Sequence, residues 1–149
     1  MIGEYWIPIK DGDPRAVALY NRHYSARDVG GRKLDRVRYG FSGNGESLVL
    51  LTLHCDALYC WRYQRKYQKD GQEGLNCSIF RNEGDILSSV LISEACEWAD
   101  AKWGKLRKYT YVNPEKIKHK RDPGRCFIKA GWHNAGISPQ GLVILELAP

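Results

Sequence analysis

Phe80-Arg81-Asn82-Glu83-Gly84-Asp85-Ile86-Leu87-Ser88-Ser89 is the stretch on which the reading of this chain turns. It continues the strand-like run from Gly74 to Phe80. It then opens a segment in which Leu87, Val90, Leu91, Ala95 and Trp98 recur at three- and four-residue steps. That spacing predicts one face of a helix reaching about Trp103 and stopped by Gly104. A strand–turn–helix junction is the backbone context of an anion site, because the free amides and the macrodipole of the helix start both favour negative charge. Arg81 and Gly84 suit that use. Glu83 and Asp85 oppose it, since carboxylates in the turn repel a bound anion. Asp85 or Ser88 is expected to cap the helix.

Outward from this junction the signals alternate. Glu4 to Ile9 reads as a first strand, stopped by Asp11-Gly12-Asp13-Pro14. Asp13 as cap and Pro14 as first-turn residue predict a helix from Arg15 to about Arg22. Residues 26–44, rich in Gly and Arg, read as a mobile loop. Ser47 to His54 is a continuous apolar run, expected of a buried strand, and Ala57 to Tyr67 alternates as a long strand. Asp70-Gly71 is a hairpin signal, so three successive antiparallel strands are expected. Lys108 to Val112 is a strand halted at Asn113-Pro114, and residues 115–125 are a basic loop. Arg125 to Ala130 is a short helix ending at Gly131, and Leu142 to Leu147 is the last strand. The expected class is α/β (α+β), one domain over residues 1–149, with a mixed, mainly antiparallel central sheet flanked by helices.

The composition fits a packed domain: 43% of the 149 residues are hydrophobic and 11% aromatic. No apolar run approaches the ~20 residues of a membrane span, and Met1 to Lys10 lacks the regions of a signal peptide. Five cysteines, Cys55, Cys60, Cys77, Cys96 and Cys126, show no Cys-x-x-Cys spacing. Reduced thiols in a cytoplasm are the expectation, and no ligand spacing indicates a metal. Net charge is +6, gathered in three clusters. Lys105 to Lys129 carries nine Lys/Arg against Glu115 and Asp122; Arg32, Lys33, Arg36 and Arg38 form a second group, and Arg62, Arg65, Lys66 and Lys69 a third. Such clusters suit a polyanion, nucleic acid first, or are a solvated basic surface.

The order β–α–β–β–β–α–β–α–β, with Arg81-x-x-Gly84-x-Ile86 before the central helix, resembles the GNAT N-acetyltransferase fold. Cys126-Phe127-Ile128-Lys129-Ala130-Gly131-Trp132 is similar to that family's Leu-Tyr-Glu-Lys-Leu-Gly-Phe helix, and Asn113 stands where its fifth strand ends. The likeness spans roughly residues 46–147. Within the fold the chain looks closest to the phage and prophage proteins related to bacteriophage Mu Mom. That likeness is carried by Asn21-Arg22-His23-Tyr24-Ser25, Phe80-Arg81-Asn82-Glu83-Gly84, Leu87-Ser88-Ser89, Tyr109-Thr110-Tyr111-Val112-Asn113-Pro114, Pro123-Gly124-Arg125-Cys126-Phe127 and Ala130-Gly131-Trp132. It implies a DNA-modifying transferase that places a carbamoylmethyl (acetamido) group on the exocyclic amine of adenine, protecting phage DNA from restriction in a bacterial cytoplasm. The implied partners are double-stranded DNA and acetyl-CoA or another small donor. Two positions depart from the GNAT pattern. Phe127 replaces the Tyr that protonates a leaving thiolate, and Ile86 replaces a small residue beside the phosphates.

Each candidate residue has a functional and a structural reading. His23 is a base or substrate contact near the target amine, or a helix-end histidine. Glu83 is a general base, or a partner for Arg81. Tyr111 and Asn113 position base and donor, or pack and turn the chain. Arg81, Asn82, Gly84, Ser88 and Ser89 hold the donor, or only form the turn and the cap. Arg22, Tyr24, Arg62, Lys116, Lys118, Lys120, Arg121 and Arg125 contact DNA, or are solvated charge. Two rival functions remain: a conventional acetyl-CoA-dependent N-acetyltransferase for a protein or small-molecule amine, and a non-catalytic DNA-binding module on the same scaffold. DNA affinity with no product would mark the latter, and a tight CoA complex with no DNA affinity the former.

Overall fold

The computed structural model describes residues 2–22, 28–29, 32–33, 36–65, 71–116 and 124–149. Its elements run β1 (Trp6–Ile9), α1 (Pro14–Arg22), β2 (Asp28–Val29), β3 (Arg32–Lys33), α2 (Arg36–Tyr39), β4 (Glu46–Thr52), β5 (Ala57–Tyr63), β6 (Leu75–Asn82), α3 (Ser88–Trp103), β7 (Lys108–Val112), a 3-10 turn (Pro114–Lys116), α4 (Arg125–Lys129), β8 (His133–Ile137) and β9 (Val143–Leu147). Among the described residues seven strands make one mixed sheet in the order β1-β4-β5-β6-β7-β9-β8. Every pairing in it is antiparallel except β6 with β7. The expected mainly antiparallel sheet flanked by helices is the observed one.

Both faces of the central strands are covered, which is why β4 reads as a nearly unbroken apolar run and why both alternating sides of β5 are buried from Ala57 to Trp61. Strand alternation sends Leu58 and Cys60 to one side, where they pack with Val49, Leu51 and Ile79 against Ala16, Leu19 and Tyr20 of α1. It sends Tyr59 and Trp61 to the other, against Leu91, Ile92, Ala95 and Ala99 of α3. The indole N–H groups of Trp6 and Trp61 donate to the α3 carbonyls of Leu91 and Ala95 at 2.7 and 2.8 Å, so two large rings are buried without orphaning their polar atoms. Asp13 caps α1 through its carboxylate, which accepts the Arg15 amide at 3.0 Å.

Two buried charges tie α3 to the sheet. Glu94, 2% exposed, accepts the backbone amides of Glu4 and Tyr5 on Oε1 and of Trp6 on Oε2, at 2.7–2.9 Å. Lys108 of β7, buried to a similar degree, donates to Asp100 at 2.6 Å. Each charge is partnered, as burial requires.

The parallel pair is short. β6 and β7 register only at Leu75/Lys108, Asn76/Tyr109 and Cys77/Thr110. At that point β6 carries an extra residue, since Cys60 faces Ile79 and Trp61 faces Cys77, leaving Ser78 bulged. Beyond the bulge β6 stays with β5 while β7 stays with β9, so the two strands part.

Several expectations are corrected. The segment 26–44 is not simply a loop: it holds the small β2–β3 hairpin and α2. The first strand starts at Trp6, and β5 ends at Tyr63. Asp70, half of the hairpin signal, lies outside the described residues. β8 had no sequence signal, because His133-Asn134-Ala135-Gly136-Ile137 is exposed along its whole length and carries a bulge. The cap of α3 is neither Asp85 nor Ser88 but Leu87, which supplies no side-chain bond. Among the described residues no helix is long and apolar enough to cross a membrane.

Replacing Glu94 by Ala leaves three backbone donors without their acceptor. It should cost about 3–5 kcal/mol, the range for breaking a buried charged network. Urea unfolding followed by tryptophan fluorescence would show a midpoint shift of that size, and Glu94→Gln, which keeps one carbonyl acceptor, a smaller one.

Candidate active site

β6 and β7 part beyond Cys77 and Thr110, which leaves the end of β6 with the 83–87 turn on one side of the opening and the end of β7 on the other. Period-two alternation decides what faces where. Arg81 lies opposite Leu58 and so points to the α1 side, as does Glu83 two residues later. Asn82 points to the α3 side. The structure therefore separates Arg81 from Asn82, which the sequence reading had paired on one anion.

On the α1 side the turn is closed by an ion-pair cluster. Arg22, the last residue of α1, reaches Glu83 through Nε and Nη2 at 2.7 and 2.8 Å. Arg81 donates through Nε to the same carboxylate at 2.5 Å and through Nη1 to the Arg22 carbonyl at 2.8 Å. Hydrogen bonds from Arg22, then Arg81, hold the Glu83 carboxyl at about 2, far below its ordinary value of 4.5. Of the two readings of Glu83, the geometry matches pairing with Arg81. A group that weakly basic accepts few protons near neutrality.

On the α3 side Asn82 staples the turn. Its Nδ2 donates to the Ile86 carbonyl at 2.7 Å and to the Ser88 hydroxyl at 3.0 Å, and its Oδ1 accepts the Gly84 amide at 3.0 Å. Gly84 does not supply an unusual backbone angle: it is absent from the positive-φ glycines. It is needed for close approach instead. A Cβ there would sit 2.3 Å from Oδ2 of Asp56, whose own carbonyl accepts the Glu83 amide at 2.7 Å. Asp56 is thus a member of the turn that sequence reading missed. The β4–β5 hairpin gave it no motif, and only strand pairing brings it here. Ser88 and Ser89 also part company. Ser88 meets Asn82, whereas Ser89 lines a groove of about 260 Å³ with Tyr5, Ser93, Glu97 and Lys129.

The second wall holds Tyr111 and Asn113. Tyr109 and Tyr111 share the face away from α3, as alternation requires, with ring centroids 5.9 Å apart edge to face. Tyr109 is buried and Tyr111 half-exposed toward the end of the strand. Asn113 accepts the Glu115 amide at 3.0 Å and starts the 3-10 turn. Phe127 is buried against Phe80 and Trp132 at 5.9 and 4.8 Å.

The other candidates divide. His23, Tyr24, Lys118, Lys120 and Arg121 lie outside the described residues. Lys116 ends the 3-10 turn, and Arg125 is exposed at the start of α4. Arg62 is not part of this cleft. It sits opposite Asn76, about 20 Å down β6 from Glu83 at 3.3 Å per residue. Among the described residues no group of three or more His, Cys, Asp or Glu is placed to hold a metal.

For coenzyme A, one of the donors expected from the sequence, the fit at this turn is poor. Glu83 takes up both arginines, and the space beside the glycine backbone belongs to a carboxylate.

No protein-family model matches the chain, and no curated protein is significantly similar to it. The cluster itself makes a measurable prediction. Because Glu83 titrates at about 2 in the folded chain and near 4.5 unfolded, its ion pairs stabilise fully above pH 4.5. That stabilisation is lost as pH falls from 4.5 toward 2. Glu83→Gln should be less stable than the parent at pH 7 by about 1 kcal/mol or less, the pairs being solvent-screened. In thermal unfolding across pH, the gap between the two proteins should close by pH 2.

Proposed function

We propose that this protein is a GNAT-like transferase of the Mom type that modifies the exocyclic amine of adenine in DNA, adding a carbamoylmethyl-type group. The observation that carries the reading is the parallel strand pair β6 with β7, the one such pair among the described residues, which parts where Arg81, Glu83, Tyr111 and Asn113 stand. On this reading a planar base enters that opening from one side and a small donor from the other.

An adenine must leave the duplex stack before its amine can react, and an aromatic wall offers it a surface to rest on. Tyr111, half-exposed at the end of β7, supplies that wall. The attack needs a neutral nitrogen and a group to take its proton. Glu83 is committed to Arg22 and Arg81, so this role falls to His23, which directly follows Arg22 in the chain. Asn113 and the 3-10 turn shape the mouth, and Arg125 with the basic residues Lys116, Lys118, Lys120 and Arg121 meets the phosphates. The bacterial cytoplasm of a phage or prophage host is the setting this reading carries.

Nucleoside mass spectrometry of plasmid DNA from expressing cells is the test. A deoxyadenosine of raised mass should be present with the parent protein and at least about a hundredfold reduced with His23→Ala, as expected when a base is removed, and clearly reduced with Tyr111→Ala, which takes away the stacking surface that Tyr111→Phe would keep. Unmodified DNA from cells making soluble parent protein would sink the reading.

A further inference from the structure

We propose that the donor accepted by this site carries no diphosphate, and that Asp56 and Glu83 are the residues that exclude one. That a donor is bound at all rests on the transferase reading; which charge the turn tolerates does not.

A diphosphate at a strand–turn–helix junction needs free amides at the helix start, a backbone it can approach closely, and cationic side chains left to meet it. The first need is met, since Leu87 leaves α3 without a side-chain cap. The second is not. Gly84 is the one glycine of the turn, and the space a Cβ would take is held by the Asp56 carboxylate, itself fixed by the Thr52 hydroxyl at 2.6 Å. The third is not met either. Arg22 and Arg81 both close on Glu83, and Arg81 spends a further donor on the Arg22 carbonyl. Asp85 stands exposed in the same turn, so with Glu83 and Asp56 three carboxylates gather at a turn that has two guanidinium groups, both already on Glu83. An incoming diphosphate would meet net negative charge at short range. The donor end that meets this turn is therefore neutral or cationic.

Calorimetric titration of the full chain with coenzyme A, and separately with inorganic pyrophosphate, tests this. The parent protein should show no saturable binding of either up to about 1 mM, the weak end of specific recognition. Asp56→Asn combined with Glu83→Gln removes two charges and frees two arginines, and should bind both ligands at least about tenfold more tightly, a ratio worth one decade in Kd. Asp56→Asn alone, which keeps an oxygen for Thr52, should gain in the same direction and stands in if the double variant does not fold. Saturable coenzyme A binding by the parent, displaced by pyrophosphate, would overturn the assignment. So would variants that fold and gain nothing. Absence of modified adenine removes the DNA reading, whereas coenzyme A binding removes this one, so the two failures are distinct.

Discussion

Helix α3 is the member on which the rest of the molecule leans. It crosses the sheet with its apolar face against Tyr59, Trp61 and Leu75, and it is pinned by groups that leave little freedom of placement. Glu94 gathers three amides of the segment entering β1, Trp6 and Trp61 hang on its carbonyls, and Asp100 holds the buried Lys108 of β7. An edge strand, a central strand and the parallel strand are thereby registered to one rigid body. A buried carboxylate with three charge-assisted donors is among the stronger local constraints available to a domain of this size.

That constraint also fixes the turn before α3. With the helix set, the chain leaving β6 must cover 83–87 in a fixed span, and Asn82 closes it through bonds to Ile86, Ser88 and Gly84. The bulge at Ser78 adds a twist to β6 just where β7 ceases to follow it. The cleft is therefore a consequence of strand geometry, whereas its electrostatic character comes from three acids that the strand order brings to its rim. The scaffold offers a helix start and the side chains around it withhold most of its attraction for anions.

Much of the fold was legible. β7 was read at its observed bounds, and the central helix and its glycine stop nearly so, because hydrophobic period and glycine termination are local signals. β8 was invisible because an exposed edge strand has no burial to imprint on its sequence, and the hairpin within 26–44 because its residues are dominated by Gly and Arg. At the site the turn, Arg81, Asn82 and Gly84 were legible as a group from their position between strand and helix. Their division between two faces followed from period two but needed the strand bounds to be known.

The sequence by itself determined the order of the larger strands and helices, with β2, β3, α2 and β8 missed, together with the turn at 83–87 and the basic character of the chain, since each depends on neighbours a few residues apart. The tertiary structure decided which charges meet. Arg22 lies 61 residues from Glu83, and Asp56 reaches Gly84 only through the pairing of β5 with β6. Coulomb energy depends on distance in space, which no local pattern records, and so the choice between an anion site and a site closed by its own acids was made by the fold.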